Sequence, residues 1–472
     1  MSTDPLRIHL SLVSHTNIGK TTLARTLLSR DIGEVADRAH VTETTDDYVL
    51  ARSPEGAELI LWDTPGFGNS VALAKRLAGR SNPVGWFLSE VWDRMANKTQ
   101  WLNQRALKHV KDVSSVVLYL VNAAELPETA PYVKAEMHIL EWIGKPVIVL
   151  LNQIGQPRPP SAEQGEVERW SRAMKEYPIV SGVLSMDAFA RCWVQEFTLF
   201  DAIGRALPEE LDSAFESVRQ TWARQRRAAY ASSIEALVNY FNKLAGEREV
   251  APTPRMIDQI KFLGKRLGLV KNENIHDPAE AAQTALSARA TDDFCALTDR
   301  LIVANGLKGK GIRKEILQRM QSDWSVTTRV DPRQAAVAGA IGTGAAGGLA
   351  TDLAAGGLTL GLGTLIGTVV GAIGGAGIAM AYNHKKEATG VVVSWSDAAL
   401  RNFFVEAVLL YLAIAHFGRG RGNWVESEYP PFWRSTVDEV LEPMKLDSRN
   451  LAAHFDEVVR AVLLKLYPEA RF

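Results

Sequence analysis

Ser14-His15-Thr16-Asn17-Ile18-Gly19-Lys20-Thr21 stands between two runs of different periodicity, and its reading decides the fold. Before it, Leu6-Arg7-Ile8-His9-Leu10-Ser11-Leu12-Val13 alternates apolar and polar residues, as a strand with one buried face does. After it, Thr22-Leu23-Ala24-Arg25-Thr26-Leu27-Leu28-Ser29 carries leucines at helical spacing. A G-K-T placed between strand and helix is the context of a phosphate-binding loop, G-x-x-x-x-G-K-[ST]. In such a loop the backbone N–H groups and the helix N-terminus hold phosphate oxygens. Lys20 then reaches the β- and γ-phosphates, and the Thr21 hydroxyl ligates magnesium. Ser14 takes the place of the first glycine, at a steric cost if the loop needs φ > 0 there. A chance G-K-T in a turn is the competing explanation of the motif alone, and the motifs downstream decide against it.

Outward from the loop, strands and helices alternate as far as residue 207. Residues 47–51 and 58–62 look like strands joined by Ser53-Pro54-Glu55-Gly56, a turn cluster that makes an antiparallel hairpin. Residues 115–121 and 146–151 are continuous apolar runs, the mark of strands buried on both faces. Residues 179–184 read as the last strand. The expectation is an α/β domain over residues 1–208, a mostly parallel sheet with helices on both faces.

Asp63-Thr64-Pro65-Gly66 follows the hairpin as a D-x-x-G at a strand's C-terminal end. On these two motifs the domain resembles the GTPase superfamily, and within it the Era/TrmE-type branch, which shares N-x-G-K-[ST] and D-T-P-G. The resemblance implies a P-loop GTPase domain that binds and hydrolyses GTP with magnesium. It implies that Asp63 holds magnesium through water and that Gly66 meets the γ-phosphate. A switch I threonine belongs in Arg38-Ala39-His40-Val41-Thr42-Glu43-Thr44-Thr45, with Thr42 the first choice and Thr44 the second. The expected catalytic set is then Lys20, Thr42, Asp63 and Gly66, and the magnesium set Thr21, Thr42 and Asp63. The nucleotide set is Ser14, Asn17, Gly19, Lys20, Thr21, Thr22, Asn152, Gln153 and Ser185.

Where the family has N-K-x-D, this chain has Asn152-Gln153-Ile154-Gly155. Gln153 replaces the lysine, and Gly155 replaces the aspartate that accepts two hydrogen bonds from guanine. A charged acceptor contributes about 1.5–3 kcal/mol per bond, so discrimination between GTP and ATP is expected to be weaker than with the full motif. Ser185-Met186-Asp187 is a loose match to the fifth motif. Phe67 stands where Ras-type proteins place a glutamine that orients the attacking water. Some relatives with this replacement use potassium held by the loop asparagine, here Asn17; a plain turn role for Asn17 is the alternative. Without potassium, a partner protein or a homodimer through the G domain is expected to supply the missing group.

Residues 69–111 form an unusually long segment containing Trp86, Trp92 and Trp101, whose helical spacing suits packing better than a ligand cage. Residues 209–332 are charged, helix-periodic and poor in strand patterns. Their basic knot, Arg224-Gln225-Arg226-Arg227, reads as a solvated helix face that could meet an acidic membrane surface. Residues 333–384 then carry a single charged side chain, Asp352, apart from the opening Arg333. Gly363, Gly367, Gly371 and Gly375 recur every fourth residue, a glycine stripe for close helix approach. Asp352 divides this stretch into two apolar halves, giving a glycine-rich helical hairpin within an otherwise all-α domain that resumes over residues 385–472. Insertion in a lipid bilayer is the expectation, with burial inside a soluble helical domain as the alternative. A G domain followed by such helices also resembles uncharacterised bacterial GTPases with a C-terminal domain of unknown function.

The chain has 472 residues, enough for two or three domains, with ordinary apolar (46%) and charged (23%) fractions. A net charge of -1 offers no overall footprint for nucleic acid, and no nucleic-acid partner is expected. Cys192 and Cys295 are the two cysteines, too few for a disulfide framework. The N-terminus has no basic-then-apolar leader, so a cytoplasmic location is expected, at the inner face of the inner membrane if the hairpin inserts. The expected function is a GTP-driven switch, with a pore-forming or membrane-remodelling effector and a slowly turning-over scaffold as alternatives.

Overall fold

The computed structural model describes residues 6–28, 46–90, 98–154, 158–188, 192–252, 278–307, 378–381, 390–395, 397–417, 430–444 and 450–472. The described residues fall into two compact units. The first draws on Met1–Tyr230, Ala415–Trp424 and Leu463–Phe472, the second on Ala231–Ile414 and Val425–Val462.

In the first unit, β1 (Arg7–Ser14), β2 (Asp46–Arg52), β3 (Glu58–Asp63), β4 (Val116–Asn122), β5 (Val147–Asn152) and β6 (Val180–Ser185) make one sheet. Its order is β2-β3-β1-β4-β5-β6. All neighbours are parallel except β2 and β3, the hairpin read from the sequence. Ser53 closes that hairpin by accepting from the Ala57 amide at 3.1 Å through Oγ, while Gly56 takes φ +95°. Helices α1 (Lys20–Leu28), α2 (Ser70–Leu77), α3 (Pro83–Ser89), α4 (Lys98–Asp112), α5 (Pro131–Ile143) and α6 (Pro160–Met174) lie between the strands, and α7 (Trp193–Ala206) follows β6. Val116 to Val121 and Val147 to Leu151 are buried throughout, which is why these strands read as unbroken apolar runs. The parallel strands end together, so Ser14, Asp63, Asn152 and Ser185 gather along one edge, where α/β sheets bind their ligands.

β1 departs from the expectation of one wet face. Leu10 to Ser14 are all buried, because helices cover both faces of the strand. Its polar side chains are accommodated by hydrogen bonds. Ser11 Oγ lies 3.0 Å from His109 Nε2 on α4 and 2.5 Å from Ser114 Oγ. Trp62 Nε1 donates to His9 Nδ1 at 2.9 Å, and the Trp62 ring leans on His109 with centroids 4.5 Å apart.

The tryptophans of the long segment pack, as far as they are described. Trp86 lies against the apolar core with the Arg80 guanidinium 4.0 Å from its ring, and Arg105 sits 4.9 Å from Trp101; Trp92 lies outside the described residues. The basic knot is not a purely solvated face. It lies on α8 (Asp212–Gly246), where Arg226 turns inward to pair with the buried Glu196 at 2.8 Å and Arg227 rests 5.7 Å from the Phe197 ring.

The second unit is not all-α. Beside α9 (Pro278–Ala304), α10 (Asp397–Ala415), α11 (Pro431–Leu441) and part of α12 (Leu451–Leu466), it holds β7 (Glu249–Pro252), β8 (Ile378–Ala381) and β9 (Gly390–Trp395). These form an antiparallel sheet, β7-β9-β8, in which Glu249 pairs with Val393. Such pairing joins segments far apart in the chain and leaves no hairpin signature between them. Ile378–Ala381 belonged to the expected glycine-rich helical hairpin and is strand instead; the rest of that hairpin lies outside the described residues. Among the described residues no helix is long and apolar enough to cross a membrane.

The histidines beneath β1 set a pH dependence. Burial pulls His109 from 6.5 to about 4, with neighbouring His9 pushing the same way and Asp112 and Asp47 opposing. Burial and Arg7 likewise lower His9, whose Nδ1 must keep its lone pair for the Trp62 N–H. The unfolded chain therefore binds more protons than the native one below 6.5, so this stability is complete above that value and is lost as pH falls toward about 4. Urea midpoints of the wild type should fall between about pH 7 and about pH 5, and His109→Gln should flatten that fall. Equal slopes in the two proteins would exclude His109 as the titrating group.

Candidate phosphate-binding site

The loop after β1 folds as its residue types require. Gly19 adopts φ +94°, and a Cβ there would lie 2.7 Å from Asn152 Nδ2, so the position needs glycine on both conformational and steric grounds. Asn17 takes φ +65°, a left-handed conformation asparagine tolerates better than most residues, and its side chain is exposed. Ser14 is fully buried, its Oγ donating to the His15 carbonyl at 2.5 Å. The serine therefore acts as a bonded element of the loop in the place of glycine.

Lys20 heads α1 and folds back over the loop. Its Nζ donates to Ser14 Oγ at 3.0 Å and reaches the His15 carbonyl at 3.5 Å. Burial lowers its pKa, and the nearby carboxylates of Asp63 and Glu136 oppose the shift. Next to it, Thr21 Oγ1 donates to Asp63 Oδ2 at 2.5 Å. Asp63 Oδ1 is buried without a hydrogen-bond partner, and burial raises the Asp63 pKa against the pull of Thr21 and Lys20. Native structures rarely leave such an oxygen unmatched, so the pair has unused capacity for a cation. A hydroxyl and a carboxylate are hard oxygen donors of the kind magnesium takes. Thr22, also expected in the nucleotide set, is buried on α1.

Gly66 backs directly onto this group. A Cβ there would lie 2.9 Å from Lys20 Nζ and 3.0 Å from Thr16 Cα, so any side chain would collide with the loop. The Phe67 amide donates to the Ser14 carbonyl at 2.9 Å, and its ring is buried in the core, which takes it away from any reacting water. Thr42 and its alternative Thr44 lie outside the described residues.

On the other side of the loop, Asn152 is fully buried. Its Nδ2 donates to the Ile18 carbonyl at 2.6 Å and its Oδ1 accepts from the Ala188 amide at 2.8 Å. Gln153, in left-handed conformation with φ +59°, donates from Nε2 to the Asn17 carbonyl at 3.3 Å. Ser185 Oγ stands 3.5 Å from Glu163 Oε2. Asp187 is buried, its Oδ2 accepting from the Ile154 amide at 2.5 Å.

One part of the site was missed by motif matching. His15 Nδ1 donates to Glu136 Oε1 at 2.8 Å, and Tyr119 OH donates to Glu136 Oε2 at 2.8 Å. Tyr132 stacks on the His15 ring with centroids 4.7 Å apart. Glu136 is fully buried on α5, so this carboxylate anchors the first half of the loop from below. A glutamate on an apolar helix face was the available clue. Glu136→Gln keeps the shape but turns an amide donor toward one of two donors. That should cost about 1–3 kcal/mol of stability in chemical denaturation. A cost near zero would show that the carboxylate does not hold the loop.

Residues 9–153 match the family model described as 50S ribosome-binding GTPase. Residues 327–457 match the model described as Domain of unknown function (DUF3482). No curated protein matches the chain. Among solved structures, Era in complex with MgGDPNP and nucleotides 1506–1542 of 16S ribosomal RNA is similar at 16% identity, covering 61% of this chain and 90% of that one, TM-score 0.33. A variant of Aquifex aeolicus Era bound to GDP.AlF4- is similar at 14% identity, covering 61% and 88%, TM-score 0.30. The FeoB G-domain from Methanococcus jannaschii is similar at 15% identity, covering 46% and 99%, TM-score 0.22. The six-stranded unit with its phosphate loop is thus a P-loop GTPase domain, and the protein is a GTP-hydrolysing enzyme.

Proposed function

We propose that the protein is a magnesium-dependent GTP switch whose G domain controls the C-terminal part of the chain. The observation that carries the site assignment is the buried Lys20, Thr21 and Asp63 constellation with the unmatched Asp63 Oδ1. Lys20 would exchange Ser14 Oγ for the β- and γ-phosphate oxygens, and loop amides from Asn17 to Thr21 would cradle the phosphates. Thr21 and Asp63, with Thr42 from switch I, would hold magnesium, which supplies charge neutralisation at the phosphates. The Gly66 amide would meet the γ-phosphate, which the close approach of its backbone to Lys20 favours. Asn152, Gln153 and Ser185 would border the base.

Lys20→Ala should abolish nucleotide binding in an equilibrium titration, because the Lys20 ammonium is the cation held against the loop oxygens of Ser14 and His15. Thr21→Ala should retain weakened binding and lose magnesium-dependent turnover. Wild-type affinity in the Lys20 variant would remove the assignment.

With Phe67 buried, the water and the leaving oxygen need help from elsewhere. Potassium held by the exposed Asn17 is one source, and a partner protein or a second G domain is the other. Phosphate release faster in potassium than in sodium at equal ionic strength, and lost in Asn17→Ala, selects potassium. Equal rates with an inert Asn17 substitution select the partner.

The target of the switch is proposed to be a lipid bilayer at the cytoplasmic face, a reading that rests on the composition of residues 333–384. The description of the matching family model names the ribosome instead. Flotation with liposomes that disappears on deletion of residues 333–377 supports the membrane. Co-sedimentation with ribosomes and no flotation moves the target to the ribosome.

A further inference from the structure

The turn after Asp63 is held from two sides. The Phe67 amide donates to the Ser14 carbonyl at 2.9 Å, which ties the turn to the phosphate loop. At the next residue, the Gly68 amide donates to Asn103 Oδ1 at 3.0 Å, and Asn103 Nδ2 donates back to the Gly68 carbonyl at 2.8 Å. Asn103 stands on α4 and is fully buried. A primary amide that gives both bonds to one backbone residue fixes its position and its rotation together.

The helix that carries this clamp is itself anchored to the strand that carries the loop. His109 Nε2 on α4 lies 3.0 Å from Ser11 Oγ on β1, and Leu107 and Val110 are buried in the core. The clamp and the phosphate loop therefore share one frame, with Gly66 between them. Gly66 already approaches the loop so closely that a Cβ would lie 2.9 Å from Lys20 Nζ. Directly after the clamp, Asn69 takes φ +50° and caps α2, so the chain changes course where the clamp ends.

We infer that Asn103 is a positioning residue for the triphosphate: through Gly68 it holds the Gly66 amide where the γ-phosphate arrives. The inference rests on the GTP-binding reading of the site, in which Gly66 meets that phosphate. A turn fixed in advance spares the ligand the cost of selecting it from other conformations. GDP has no γ-phosphate and gains nothing from a fixed Gly66. Asn103 therefore separates the two nucleotides, whereas a merely structural residue would support both alike.

The test is a titration of the full chain, in magnesium, with fluorescently labelled GDP and with the labelled, non-hydrolysable β,γ-imido analogue of GTP. Asn103→Leu removes both bonds at similar volume, and Asn103→Asp keeps an acceptor for the Gly68 amide but turns an oxygen onto its carbonyl. Each should lower the affinity for the GTP analogue about 10-fold and leave that for GDP within about 2-fold. Retained GDP binding also shows that the variant is folded; if Asn103→Leu loses it, Asn103→Asp decides. Gln104→Ala is the control on the same helix, because Gln104 Nε2 donates to the Phe87 and Glu90 carbonyls at 3.0 and 2.6 Å and does not bond Gly68. It should leave the ratio of the two affinities unchanged. An unchanged ratio in Asn103→Asp, with or without an equal loss of both nucleotides, overturns the inference, as does the same fall in Gln104→Ala. In those outcomes the wild type still binds the GTP analogue, so the GTPase reading stands. Wild type that binds neither nucleotide overturns both.

Discussion

A single buried amide, Asn152, joins the parts of the G domain that must stay in register. Its nitrogen holds the Ile18 carbonyl in the phosphate loop, and its oxygen holds the Ala188 amide beyond β6. Gly19 fits against the same side chain so closely that a methyl group would collide with it. The strands β1, β5 and β6 end on one edge of the sheet with β4 standing between β1 and β5, so the loop after β1 must be tied to the ends of β5 and β6 across that gap. One side chain with a donor and an acceptor does that work, and leaving either end unmatched in the interior would cost about 1–3 kcal/mol. The left-handed residues Asn17 and Gln153 are sustained by this frame.

Charge is the second constraint. Lys20, Asp63 and Glu136 are all buried around one loop, where isolated charges are costly. Burial acts on them in opposite directions: it lowers the Lys20 pKa and raises that of Asp63, while each charge supports the other. Lys20 is held by Ser14 and the His15 carbonyl, acceptors that phosphate oxygens outbid electrostatically. Asp63 keeps one oxygen unmatched. The site is therefore preorganised for an anion and a hard cation together, which is the charge pattern of a magnesium nucleotide.

The second unit is organised by aromatic packing. Phe404 stacks on Phe455 with centroids 4.0 Å apart, and Phe241 meets both edge-on. The three-stranded sheet is stitched to this core through Trp395, whose Nε1 donates to the buried Glu247 at 3.1 Å. In the first unit the closing residues contribute as well, with Phe472 edge-on to Trp193 at 5.3 Å. The chain thus returns to the unit it started from, which composition along the sequence does not reveal.

The sequence by itself determined the G domain's elements and the phosphate loop. Strand and helix periodicities there are local, and G-K-T and D-T-P-G are contiguous patterns whose spacing reflects the backbone of one turn each. The same local logic misjudged β1, because its polar residues are satisfied by His109 and Ser114, about a hundred residues away. It likewise took the knot at Arg226 for a solvated face, since the pairing carboxylate of Glu196 lies on another helix. It read the second unit as all-α, since β7 and β9 are short and find each other only across a long intervening segment. Only the tertiary structure brought Glu136 under the loop and Asp187 against Ile154. Glu136 is a single acidic residue with no motif around it, and Asp187 stood in the sequence only within a loose match to the fifth motif. What makes them part of the site is the parallel sheet, which gathers the ends of strands distant in sequence onto one edge.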